Sequence, residues 1–136
     1  MIDRLILSRS HWQGMRRHVS RRFPLEACGL LAGKNNRVEF TLGVPNADRS
    51  PVRFHMDARA QWRAFQRFEA AGLDLVGIYH SHPNGPDHPS VTDIAEAAYP
   101  VAQVLWFRAG GRWQARAFLI EAGKIIEIAL EIYPSG

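Results

Sequence analysis

The sequence predicts an α/β protein in which a mixed, largely antiparallel β-sheet packs against two to three helices. Three observations support this fold class. The chain has 136 residues and is 46% hydrophobic, which is enough for one proper core and leaves little room for a second. Short apolar runs with strand character alternate with stretches of helical periodicity. No repeat, low-complexity segment or long linker interrupts the chain, so we expect residues 1–136 to form a single domain.

The N-terminal third predicts a strand, a helix and a β-hairpin. Phe23 and Pro24 end the helix, since proline cannot continue it. The turn formers of residues 34–36 separate the two strands of the hairpin. The predicted elements are a strand at residues 5–7, a helix from its N-cap Ser10 to about Arg22, and strands at residues 27–33 and 37–44.

The rest of the chain predicts two helices and four strands. Asp57 begins a helix that closes near Gly72, and its Trp62, Phe65 and Phe68 are spaced as one apolar face that we expect in the core. A second helix begins after Ser90. The strands are expected at residues 73–79, 101–108, 112–120 and 124–132, with a glycine turn between the second and the third.

Two histidines follow the strand at residues 73–79. Side chains two residues apart on a strand point to the same face, so His80 and His82 should emerge together and be free to bind one metal ion. A single histidine at a strand end is more often a hydrogen-bonded surface residue. The pair raises the expectation of a metal site.

A third ligand follows in the sequence. Residues 84–89 are rich in turn formers, after which Ser90 is predicted as a helix N-cap, with Asp93 at the third helical position. Two imidazoles and one carboxylate would leave a fourth zinc position open for water, as catalytic zinc sites do. The alternative is a plain capping box between Ser90 and Asp93, which needs no metal.

One acidic residue stands at the start of an apolar strand. Glu26 precedes residues 27–33, and a carboxylate that enters a buried strand is costly unless it has a partner or a chemical role. It is therefore a candidate general base. From this segment alone, a strand-edge glutamate whose head stays in water is the simpler interpretation.

Together these residues resemble the JAMM (MPN+) metalloprotease motif. Glu26, His80-x-His82, seven residues, Ser90, two residues and Asp93 match it in every position, and the likeness extends from about residue 5 to about residue 119. The resemblance implies a cytidine-deaminase-like fold and one Zn²⁺ per chain on His80, His82 and Asp93. It also implies that Glu26 activates the zinc-bound water and that Ser90 stabilises the tetrahedral intermediate.

The same resemblance implies a substrate class. Members of this family hydrolyse peptide or isopeptide bonds after the C-terminal tail of a ubiquitin-like protein, and the bacterial counterparts are sulfur-carrier proteins with diglycine tails. Zinc chemistry suits amide hydrolysis. A thin, extended tail could add as a strand beside the site. Two alternatives stay open: a non-catalytic MPN interaction scaffold, and a nucleic-acid-associated protein that uses its basic face.

The charge of the chain is the basis of the last alternative. The formal net charge is +4. Arginines cluster on the two predicted helices, which is typical of a solvated cationic face, an acidic protein partner or nucleic acid. No nucleic-acid-binding motif accompanies them, so we do not expect nucleic acid as a partner. These arginines are Arg16, Arg17, Arg21, Arg22, Arg63 and Arg67.

Cysteine content and hydropathy indicate the cellular compartment. The N-terminus lacks the pattern of a signal peptide, no apolar run approaches membrane-spanning length, and one cysteine excludes an intramolecular disulfide. A cytoplasmic protein is expected. Cys28 is expected to be a buried thiol on the same strand face as Glu26. His88, in the loop before Ser90, is a candidate for substrate contact.

Overall fold

Seven strands and three helices form the structure, a computed structural model that describes residues 2–135. The prediction of a mixed α/β fold is therefore confirmed. The strands are β1 (Arg4–Ser8), β2 (Cys28–Lys34), β3 (Arg37–Val44), β4 (Asp74–His82), β5 (Ala102–Ala109), β6 (Arg112–Glu121) and β7 (Lys124–Tyr133). The helices are α1 (Arg9–Arg22), α2 (Ala58–Ala70) and α3 (Val91–Glu96). No helix within the described residues is long and apolar enough to cross a membrane.

The strands form one sheet that closes on itself. Their order is β1-β3-β2-β4-β5-β6-β7, and β7 returns to pair with β1. The pairs β1–β3, β1–β7 and β4–β5 are parallel, and the other four are antiparallel, as predicted for a mixed, largely antiparallel sheet. Because β4 is hydrogen-bonded to both β2 and β5, it has no free edge along these pairings. A peptide that adds as a strand beside the site therefore cannot pair with β4 itself, and its position stays a prediction.

Helix α1 begins two residues earlier than predicted. Its N-cap is Ser8, whose Oγ accepts a hydrogen bond from the backbone N–H of His11 at 3.2 Å. Ser10 is an exposed residue within the first turn, and its Oγ lies 2.8 Å from that of Ser135. The cap moves because β1 runs directly into the helix without a linker. The predicted helix end at Arg22 is confirmed.

The prediction for the aromatic residues of α2 is only partly right. Phe68 is 3% exposed and packs in the core, whereas Trp62 is 61% exposed. At 100° per residue, Trp62 and Phe68 lie about 120° apart around the helix, which is too wide for both to face the sheet. Phe65 lies between them and is half-buried, with its ring against Tyr99.

Two glycines allow a ring-to-ring contact between α1 and the sheet. A Cβ at Gly29 would collide with the ring of Tyr79, which lies across β2. A Cβ at Gly43 would come within 2.8 Å of the ring of His18, which reaches β3 from α1. The two rings meet edge to face, and His18 Nδ1 lies 2.6 Å from the Tyr79 hydroxyl. Helix α1 thus packs on the side of β4 opposite to its two histidines, because side chains alternate along a strand.

Candidate metal centre

The end of β4 brings the two predicted histidines together. His80 is 2% and His82 3% exposed, and their Nε2 atoms lie 3.2 Å apart. The intervening Ser81 points to the other face, where its Oγ accepts a hydrogen bond from the backbone N–H of Ala27. The strand therefore presents two imidazole nitrogens at one point, as its period of two requires.

Asp93 joins the histidines from the first turn of α3. Its Oδ2 lies 3.1 Å from His80 Nε2 and 3.0 Å from His82 Nε2. The same oxygen accepts a hydrogen bond from the backbone N–H of Ser90, while Ser90 Oγ accepts one from the N–H of Asp93. The capping box and the three-residue cluster are therefore present together. The cap fixes the carboxylate that faces the histidines.

The three atoms form a triangle of the size that a zinc ion needs. Its sides are 3.0, 3.1 and 3.2 Å. Tetrahedral zinc with bonds of 2.0–2.1 Å requires ligand atoms about 3.3–3.4 Å apart. Two imidazoles and a carboxylate are also ligand types that zinc prefers. His80, His82 and Asp93 thus fit the ion in chemistry and in spacing. That they hold it stays a prediction.

A hydrogen bond at Nδ1 sets the tautomer of the neutral His82 ring. His82 Nδ1 donates a hydrogen bond to the carbonyl of Pro86 at 2.8 Å, so in the neutral ring Nε2 has a free lone pair. Burial lowers the pKa of His82, but the contacts with Asp93 and the Pro86 carbonyl outweigh it, and the net shift is upward. For His80, burial dominates and lowers the pKa despite Asp93. The ring of Phe54 stacks on His80, with centroids 4.5 Å apart.

An arginine on β6 fixes the loop that provides the Pro86 carbonyl. Arg116 donates a hydrogen bond to the backbone carbonyl of Asp87 at 2.9 Å and forms an ion pair with its carboxylate at 3.0 Å. Glu127 on β7 accepts two further hydrogen bonds from the same guanidinium, at 2.8 and 3.0 Å. The loop is thereby anchored to the sheet directly beside Pro86.

Glu26 lies against this cluster, with its carboxylate out of the solvent. It is 3% exposed, and its Oε1 is buried without a hydrogen-bond partner among the described residues. One carboxylate oxygen of Glu26 and one ring nitrogen each of His80 and His82 all lie within 4.8 Å of one another. The simpler interpretation, a strand-edge glutamate in water, is therefore wrong. Burial raises the pKa of Glu26 to about 7, with Asp93 adding to the rise and His82 opposing it.

Two acids thus stand at the histidine pair with pKa values shifted in opposite directions. Burial alone would raise the pKa of Asp93, but its hydrogen bonds with His80 and His82 hold that pKa well below its usual range. Asp93 is the ionised acid in close contact, and Glu26 titrates near neutrality at a longer distance. This division suits Asp93 as a ligand and Glu26 as a proton acceptor.

The other two residues flagged in the sequence lie at the margins of the site. Cys28 is fully buried in register with His80, its Sγ lies 3.4 Å from the Val44 carbonyl, and burial raises the pKa of its thiol to about 12. It is therefore a structural thiol. His88 is exposed, and its Nδ1 lies 3.2 Å from Oδ1 of Asp87.

A groove of about 520 Å³ opens beside His80 and Asp93. One wall comes from α2 and the segment before it, with Phe54, Met56 and Ala58, and the other from residues 96–99. Ile78 and Gln103 line it as well. The groove, Phe54 and the Pro86 carbonyl were not found from the sequence, since they depend on long-range contacts. Gln103 gave a signal, as the one polar residue within the apolar run 101–107.

Several known proteins are similar to this chain in sequence. A probable TtuB-protein conjugate cleaving protease from Thermus thermophilus is 38% identical over 94% of this chain and 82% of its own. A desampylase from Pyrococcus furiosus is 34% identical over 79% and 76%, and a CysO-cysteine peptidase from Mycobacterium tuberculosis is 35% identical over 81% and 78%.

Solved structures and a family model also match this chain. A protein from Desulfitobacterium hafniense superimposes with a TM-score of 0.87 at 28% identity, covering 96% of this chain and 94% of its own. A JAB1/MPN domain protein from Archaeoglobus fulgidus shares the fold, with a TM-score of 0.60 at 15% identity over 93% and 99% of the two chains. The model for prokaryotic homologs of the JAB domain matches residues 8–121. The resemblance found in the sequence is confirmed, and the chain belongs to this family of prokaryotic JAB-domain homologues.

Proposed function

We propose that this chain, acting as a single domain, is a zinc-dependent hydrolase. Its substrate is the peptide or isopeptide bond that follows the C-terminal tail of a ubiquitin-like or sulfur-carrier protein. The observation that supports this most directly is the buried carboxylate of Glu26, which has an unpartnered oxygen beside the compact triangle of His80, His82 and Asp93. A buried acid without a partner is costly, and catalysis is a reason to retain it.

The residues divide the chemistry among them. His80, His82 and Asp93 would bind Zn²⁺, which polarises a carbonyl and lowers the pKa of a coordinated water when it is bound. Glu26 accepts the proton of the attacking water and delivers it to the leaving amine, for which its pKa of about 7 is well placed. Ser90 Oγ accepts a hydrogen bond from Asp93, so its own proton is free to be donated to the oxygen of the cleaved carbonyl.

The names of the relatives support the substrate class. One relative is named as a probable protease that cleaves TtuB-protein conjugates and another as a CysO-cysteine peptidase, and both names describe breaking a bond that joins a named protein to a second group. Three alanines, Ala58, Ala97 and Ala98, leave room on both walls of the groove beside His80. Such walls suit a thin, extended tail that ends in two glycines. We assign the activity to the cytoplasm, a reducing compartment in which a single buried cysteine stays a free thiol.

The test uses zinc-loaded protein and two probes: TtuB fused through its C-terminus to a reporter protein, and CysO-cysteine. The wild type should cleave at least one probe, lose the activity to a chelator and regain it with zinc. Glu26→Gln should reduce turnover at least about a hundredfold, with zinc content unchanged, because the amide cannot accept the proton. Glu69→Gln on the exposed face of α2 is the matched control and should be neutral.

Two outcomes would contradict the proposal. If zinc-loaded wild type cleaves neither probe, the substrate class is wrong. If Glu26→Gln cleaves at the wild-type rate, Glu26 is not the proton acceptor and the base lies elsewhere.

A further inference from the structure

Gln103 is a buried polar residue on the same sheet face as the cluster of His80, His82 and Asp93. It is 7% exposed and stands on β5 in register with Ile78, two residues before the pair formed by Leu105 and His80. Because side chains two apart share a face, Gln103 points to the side of His80. There it lines the groove together with Ile78.

The carboxamide of Gln103 has no hydrogen-bond partner in the part of the chain that the structure describes. The buried serines differ in this respect, since Ser8 Oγ and Ser81 Oγ each accept a backbone hydrogen bond. The buried side-chain atoms without a partner among the described residues belong to Glu26, His80 and Trp106, whereas the amide of Gln103 reaches the open groove and is accessible to a ligand there. A carboxamide offers two donors and one acceptor, so it can bind the N–H and the C=O of an extended peptide.

The neighbouring strands cannot provide such hydrogen bonds themselves. Strand β4 is paired with β2 and β5, and β5 is paired with β4 and β6. Their backbone groups are therefore used within the sheet. A peptide that lies over this face must find partners for its main chain in side chains, and Gln103 is suitably placed.

The distance between Gln103 and His80 sets the part of the substrate that Gln103 reaches. Two residues along a strand and one step across to the next strand separate Gln103 from His80, a distance of about 8 Å between Cα atoms. An extended peptide advances about 3.3 Å per residue. Two to three residues therefore separate the cleaved bond from Gln103.

We infer that Gln103 is a specificity-determining residue that hydrogen-bonds the main chain of the second or third residue before the cleaved bond. This inference rests on the proposed function and adds a requirement to it. The substrate must enter the groove as an extended chain whose peptide groups are accessible at these positions. A folded segment or a bulky branch at this point would be excluded.

The first test measures binding rather than cleavage. The probe is the C-terminal hexapeptide of TtuB, with its last carboxyl group joined to a fluorescent amine. Its Kd is measured for zinc-loaded Glu26→Gln protein with and without a second substitution. Gln103→Leu should weaken binding about tenfold through the loss of hydrogen bonding. Gln114→Leu, an exposed glutamine on β6, is the matched control and should leave the Kd unchanged. Gln103→Asn keeps the amide, and thermal melting shows whether each variant is folded.

The second test replaces single amides of the hexapeptide by esters, which removes one N–H at a time. An ester at the second or third residue should weaken binding to protein with Gln103 and have no further effect with Gln103→Leu. Equal binding by Gln103→Leu, equal ester effects in both proteins, or no peptide binding would overturn the inference. Peptide binding that depends on Gln103, in a wild type that cleaves no probe, would support the inference and refute only the proposed reaction.

Discussion

The free energy of unfolding should decrease between pH 6.5 and pH 4 because of one half-buried imidazole. His18 is half-buried between α1 and β3, with its Nδ1 2.6 Å from the hydroxyl of Tyr79. Burial lowers the pKa of His18 to about 4, and the neighbouring charges of Arg22 and Arg21 contribute to the shift. The folded protein therefore keeps this ring neutral at a pH where the unfolded chain protonates it.

The sign and the size of the effect follow from proton linkage. Between pH 6.5 and 4 the unfolded chain binds more protons at His18, so the stabilisation is complete above about pH 6.5 and is lost as the pH falls towards 4. At pH 4.5 the shift of the His18 pKa from 6.5 to about 4 corresponds to a loss of about 2.5 kcal/mol in the free energy of unfolding. Because the ring is partly exposed and screened by solvent, we expect about 1–2 kcal/mol.

Urea denaturation at pH 7.5 and pH 4.5 measures this loss. Wild type and His18→Gln are compared in the same buffer and metal, so that contributions from His80 and His82 cancel. The wild type should lose about 1–2 kcal/mol more than the variant between the two pH values. His55→Gln, at an exposed position, is the control and should behave as the wild type. If His18→Gln and wild type lose equal stability, His18 is not the titrating group.

Three further changes test the metal centre and its supports. His82→Ala should reduce zinc from one per chain to almost none, whereas exposed His88→Ala should retain it; equal zinc in both would refute the ligand assignment. Ser90→Ala should lower the free energy of unfolding by about 1 kcal/mol through loss of the helix cap, and an unchanged urea midpoint would contradict that role. Arg116→Met should weaken zinc affinity severalfold by freeing the loop at Pro86, while Arg4→Met, which removes a similar exposed ion pair, should not. Equal zinc affinity in these two variants would rule out the anchoring role.

Local patterns were sufficient for most elements of the fold, but long-range closure was not predictable. Apolar runs and turn formers place β2, β3 and the end of α1 close to the observed positions. The parallel pairing of β1 with β7 joins residues far apart in the chain, and no local periodicity encodes it. The N-cap of α1 was misplaced because two serines are equally good caps, and the choice depends on where β1 ends.

The candidate site was predictable where its residues are close in sequence. A spacing of two on a strand gives His80 and His82, and a capping box gives the geometry of Asp93. The proximity of Glu26 came from the family resemblance, because its segment alone favoured an exposed acid. The stacking of Phe54 on His80 could not be predicted, since it depends on the path of the segment before α2.

Cys28 makes this protein convenient for covalent labelling. It is the one cysteine of the chain, it is fully buried, and burial raises the pKa of its thiol to about 12. Alkylating reagents attack thiolates, so the native protein should resist them at neutral pH. A single cysteine placed at an exposed position such as Trp62 would then react selectively with a dye, without prior removal of the native one. Resistance to alkylation would also separate the proposed activity from that of a contaminating cysteine protease.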